Sequence, residues 1–139
     1  MKRANSALVR GRRHRNMKIA RDAKARIVLV TCGSRQEARK IAKAVVGAKL
    51  AACVNVVSSP VESVYRWKGS VETAREFLLV MKTTAQRLDA LQNEVARLHS
   101  YDVPEFLVLG VAGGSAGYLK WLHENCRSEE ARYKKQLNC

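Results

Sequence analysis

Two hydrophobic rhythms alternate along this chain. Ile27-Val-Leu-Val-Thr31 is short, β-branched and apolar throughout, as in a strand buried on both faces. Cys32-Gly33 breaks it, and Ser34-Arg-Gln-Glu37 has the form of a capping box, in which both side chains satisfy free N–H groups at a helix start. Ala38, Ile41, Ala42 and Val45 then recur at helical spacing and predict a first helix over 35–49. Ala51-Ala-Cys-Val-Asn-Val-Val57 reads as a second strand. Ser58-Ser59-Pro60 interrupts it, an extended pattern resumes over 61–67, and Lys68-Gly69-Ser70 turns the chain into a return strand over 71–82.

Within that return strand, Phe77-Leu-Leu-Val-Met81 is too continuously apolar to be wet on one face. The pattern therefore predicts cover on both sides of the sheet, helices on one and another subunit on the other. Thr83 or Thr84 is placed to cap a second helix, with Leu88, Leu91, Val95 and Leu98 as its core stripe. His99-Ser-Tyr-Asp-Val-Pro-Glu105 follows. Pro104 lacks an N–H, suits the first residue of a strand and biases Val103 away from helix. The polar cluster is thus expected at the mouth of a fourth strand over 106–111. Gly113-Gly114-Ser115-Ala-Gly117 reads as a flexible break, and Tyr118-Leu-Lys-Trp-Leu122 opens a third helix with its aromatics inward. The order β-α-β-β-α-β followed by α predicts an α+β chain, a ferredoxin-like sandwich with an additional C-terminal helix.

Charge changes this picture at the ends. The formal net charge of +14 suggests a nucleic-acid binder until it is divided. Residues 1–26 hold ten Lys/Arg and one Asp, whereas the rest holds sixteen basic and eleven acidic residues. Most of the excess therefore lies in a tail that has too little apolar surface to offset ordering entropy. The expected organisation is a basic, disordered tail over 1–25, one domain over 26–127 and a polar, fraying segment over 128–139. The tail has three possible origins: a polyanion-binding arm, an organellar transit peptide, or an extension upstream of an internal start at Met17. No stretch approaches the eighteen apolar residues of a membrane span. The four cysteines, Cys32, Cys53, Cys126 and Cys139, show no C-x-x-C spacing. With no recognisable signal peptide, free thiols in the cytoplasm are the simpler expectation.

Several chemistries are disfavoured by residue type. An RNA-recognition motif stacks bases on aromatics in its first and third strands, but the first strand here has none. Nucleic acid is therefore expected at the basic tail if anywhere. The glycine-rich run lacks both phosphate-loop spacings. No nucleophile elbow, telling carboxylate pair or cofactor fingerprint supports an enzyme. Tyr65-Arg-Trp-Lys-Gly69 could stack a planar ligand, or Trp67 could be a packing anchor. His99, Glu105 and Cys32 suit a borderline or soft divalent ion such as copper or zinc. A histidine at a helix end also suits the helix dipole, a structural role.

Five motifs in succession then resemble one family. They are Leu50-Ala-Ala-Cys-Val-Asn55, Tyr65-Arg-Trp-Lys-Gly69, Met81-Lys-Thr-Thr84, His99-Ser-Tyr-Asp-Val-Pro-Glu105 and Tyr118-Leu-Lys-Trp-Leu122. Their order and spacing are similar to those of CutA proteins over about residues 26–127. The resemblance implies a ferredoxin-like, PII-like homotrimer linked with tolerance to divalent cations, copper in particular. It implies that His99 and Glu105 hold the positions of the family's proposed metal ligands, and that Trp67, Lys82 and Tyr101 line an inter-subunit pocket. The family's proline after the histidine is Ser100 here. Its strand-one cysteine falls on Val30, with Cys32 two residues on. The expected function is divalent-metal (copper) binding and sensing without catalysis. Its alternative is a PII-like module that holds a small anionic ligand near Lys82 with no physiological metal.

Overall fold

The computed structural model describes residues 18–138. Most of the basic tail, including Met17, lies outside the described residues. The element order is β1 (Ile19–Arg21), β2 (Ala25–Cys32), α1 (Arg35–Gly47), β3 (Cys53–Val56), β4 (Val61–Trp67), β5 (Ser70–Thr84), a 3-10 turn (Ala85–Arg87), α2 (Leu88–Leu98), β6 (Leu107–Gly110), β7 (Gly113–Ser115), α3 (Ala116–Asn125) and α4 (Glu129–Leu137). The main sheet runs β3-β5-β2-β6, all neighbours antiparallel. This is the predicted ferredoxin-like sandwich, with α1 and α2 on one face.

Alternation along the strands decides what each face touches. Val28, Val30 and Cys32 of β2 and Leu79 and Met81 of β5 point toward the helices and are fully buried with Ile41, Val45, Leu91 and Val95. The register pairs Ile27 with Lys82 and Leu109, and Leu29 with Val80 and Leu107. These residues therefore share the opposite face, where α3 packs against the Ala25 end through Leu119, Leu122 and Cys126. Leu107 is 53% and Leu109 42% exposed.

Several elements differ from their expected form. Helix α1 stops at Gly47, because Lys49 turns into the left-handed region at φ 58°. Neither Thr83 nor Thr84 caps a helix through its side chain: both belong to β5. Thr83 is instead fully buried and donates its hydroxyl to the Leu50 carbonyl at 2.6 Å. Thr83→Val keeps the shape and leaves that carbonyl without its donor. It is expected to cost about 1–3 kcal/mol in urea denaturation; an unchanged midpoint would contradict the assignment.

The glycine run is not a break. Gly113–Ser115, expected as a flexible break, pairs as β7 with Ile19–Arg21 of the expected tail, so both form strands. A Cβ on Gly113 would lie 2.3 Å from the Ala20 carbonyl oxygen, which explains the glycine there. Asp22 secures the next turn: it accepts from the backbone N–H groups of Lys24 and Ala25 and lies 2.6 Å from His123 Nε2 on α3. Partial burial pushes its carboxyl up, but His123 and these N–H groups outweigh that and hold it below the usual range. Beyond Arg127 the chain does not fray; it forms α4. Glu129 and Glu130 in the first turn and Lys134 and Lys135 in the last complement the helix dipole.

Candidate functional site

β5 changes partners along its length. Residues 70–76 pair with β4 in a hairpin, whereas residues 77–84 pair with β2 inside the sheet. At this changeover the hairpin, the end of β2 and the loop after α2 enclose a cleft of about 550 Å³. Thr31, Ser63, Val64, Tyr65, Trp67, Glu76, Tyr101, Val103 and Glu105 line it. Trp67 and Tyr101, two of the three expected pocket residues, therefore meet there, joined by Glu105 from the expected metal set. Lys82 does not line the cleft. It lies on the sheet face opposite α1 and α2, paired with Ile27 and Cys53, and among the described residues no basic side chain lines the cleft.

Glu76 went unrecognised in the sequence. It is 7% exposed and accepts the Tyr101 hydroxyl through Oε2 at 3.0 Å. Gly33 leaves room for that hydroxyl, since a Cβ there would stand 3.0 Å from it. Burial, Glu76, Tyr65 and Glu37 together push the Tyr101 phenol up to about 12, so it stays a hydrogen-bond donor at neutral pH. Burial and the charge of Glu76 also push the Glu105 carboxyl up. Among the described residues, the charged neighbours that shift these two groups are all acidic.

His99 is arranged differently from a free metal ligand. Its side chain is fully buried. Nδ1 accepts the Tyr101 backbone N–H at 3.1 Å, which places the ring proton on Nε2, 2.7 Å from the Thr31 carbonyl that accepts it. Both nitrogens are thus in use, and the ring fixes Tyr101 against β2. Cys32 is fully buried. Burial first, then Glu37 and Glu76, push its thiol up to about 12, far from the thiolate that binds metal. Neither residue lines the cleft, and the described residues contain no cluster of three or more His, Cys, Asp or Glu side chains able to hold a metal. The expected set of His99, Glu105 and Cys32 does not assemble.

The capping box is also only half formed. Ser34 Oγ accepts the Glu37 N–H at 3.1 Å, but the Glu37 carboxylate reaches across the fold to Ser100. It accepts from the Ser100 N–H at 2.5 Å and from its hydroxyl at 3.0 Å. A proline at this position could make neither bond, so Ser100 ties the loop down through α1.

The CutA1 divalent ion tolerance protein family model matches residues 26–125. The chain belongs to that family. It is 48% identical over 99 residues to the divalent-cation tolerance protein CutA of Thermus thermophilus, covering 71% of this chain and 95% of that protein. It is 44% identical over 101 residues to the chloroplastic CutA 1 of rice, covering 73% of this chain and 56% of the longer rice protein. Solved CutA structures superpose on it. That of the Thermus thermophilus protein has a TM-score of 0.72 at 46% identity, covering 74% of this chain and 99% of that one. CutA of Synechococcus elongatus gives 0.74 at 37%, with coverages of 79% and 96%. The CutA match begins at Arg26, so β1 lies before the matched segment.

Proposed function

We propose that the chain is a cytoplasmic, non-enzymatic CutA protein that works as a homotrimer in the divalent-cation response, capturing a cation such as copper in the cleft beside Glu76. The observation that carries this is the charge of the cleft: among the described residues two carboxylates line it and no basic residue does. Glu76 and Glu105 would hold the ion, whose contribution is divalent charge. Tyr101 keeps Glu76 oriented, and His99 is a positioning residue that fixes Tyr101. Supporting the trimer is the sheet face opposite α1 and α2, where Ile27, Leu29, Leu78, Val80, Leu107 and Leu109 share one side and Leu107 and Leu109 are exposed. Two further copies would bury it and contribute at roughly 25 cal/mol per Å² of apolar area.

Calorimetric copper titration tests the reading, with light scattering on the same samples. The expected mass is three times that of the chain. Glu105→Gln is expected to weaken copper binding about tenfold, whereas His99→Phe, which retains a buried ring, should stay within about threefold of the wild type. A monomer, or copper affinity lost with His99 and kept without Glu105, would overturn it.

A further inference from the structure

We propose that the same cleft binds a protonated organic amine, Glu76 and Glu105 accepting its N–H groups while Trp67 and Tyr65 flank its carbon chain. This rests on the reading of the cleft as a cation site and goes further in naming an organic ligand.

Glu76 is more than nine-tenths buried, and its one hydrogen bond among the described residues is the Tyr101 hydroxyl on Oε2. None of the ion pairs among the described residues includes Glu76. No fully enclosed side-chain oxygen among those residues lacks a partner. The second oxygen, Oε1, is therefore not sealed off, and the cleft that Glu76 lines is the opening before it. A carboxylate withdrawn from water without a cation beside it is costly, and a cation entering the cleft removes that cost.

The walls decide which kind of cation. The two carboxylates favour a cation of any kind, and the volume of about 550 Å³ leaves room for one of small-molecule size. Trp67 is 49% and Tyr65 43% exposed, and both line the cleft. Aromatic faces attract ammonium groups and give carbon chains an apolar surface. Deep carboxylate, rim carboxylate and aromatic walls together match an alkylammonium ion, and a diamine can use both acids at once.

The test is calorimetric titration of the full-length protein, in its native oligomer, with 1,4-diaminobutane at fixed ionic strength. The uncharged 1,4-butanediol provides the matched control. Binding of the diamine but not the diol is expected. Glu76→Gln should lose at least about tenfold in affinity. Trp67→Ala should lose roughly threefold. Glu105→Gln lies at an exposed position and serves if Glu76→Gln fails to fold; a loss of several-fold is expected there. No diamine binding by the wild type, equal binding of the diol, or affinity unchanged in the folded Glu variants would overturn the inference. Copper binding at Glu105 without diamine binding would overturn it and leave the proposed function standing. Diamine binding without copper binding would do the reverse.

Discussion

Replacing His99 with alanine is expected to lower the unfolding free energy by about 3–4 kcal/mol, among the largest effects of any single polar residue in this chain. The ring is fully enclosed, so truncation removes packing and leaves a cavity, a combination that costs several kcal/mol for aromatic side chains. It also strands two backbone groups, the Thr31 carbonyl and the Tyr101 N–H, each with a desolvation penalty of about 1–3 kcal/mol where water does not enter. His99→Phe refills most of the volume and restores neither bond. It is expected to recover roughly half of the loss, so the pair separates packing from hydrogen bonding. Urea denaturation of the three proteins provides the comparison. A His99→Ala protein as stable as the wild type would mean that the ring is a dispensable surface ligand after all.

Gly113→Ala is expected to release β1 without unfolding the sandwich. Gly113 does not need its glycine for a left-handed backbone, since its φ is not in that region. The penalty is the approach of the new methyl group to the Ala20 carbonyl, 2.3 Å from the ideal Cβ position. Backbone on both sides prevents easy adjustment, and overpacking of this kind costs about 1–3 kcal/mol. The three-residue ladder is too short to absorb it. In limited trypsin digestion the wild type should resist cleavage after Arg21, whereas Gly113→Ala should be cut there rapidly. The fragment from residue 22 onward should remain folded. Equal protection in both proteins would show that the strand accommodates the methyl.

Much of this architecture is legible in the residues. The helical stripes through Ile41 and Val45 and through Leu91 and Val95, and the hairpin around Lys68-Gly69, depend on neighbours within a few positions. The elements that differ depend on distant partners. Gly113-Gly114 has the composition of a loose segment, and its strand exists because Ile19–Arg21 lies alongside, more than ninety residues earlier. Ser34-Arg-Gln-Glu37 matches a local motif, yet Glu37 bonds a residue sixty-three positions away. At the site, Trp67, Tyr101 and Glu105 were recoverable from motif resemblance, whereas the saturation of both His99 nitrogens was not. The signal for Glu76 is an acid directly before Phe77-Leu-Leu-Val-Met81, the run expected to be covered on both faces. A charged residue at the start of such a run marks either the sheet's edge or a pocket, and the fold decides for the pocket.

The arm that walls the cleft and the central strand of the sheet are one uninterrupted piece, the fifteen residues of β5, about 50 Å of extended backbone. No loop interrupts this strand at Glu76, so the direction of the arm is set by the strand itself. The cavity is therefore shaped before any guest arrives, and little conformational entropy is spent in closing it. Recognition here should resemble insertion into a fitted socket, with residence time governed by contacts inside and not by a moving door.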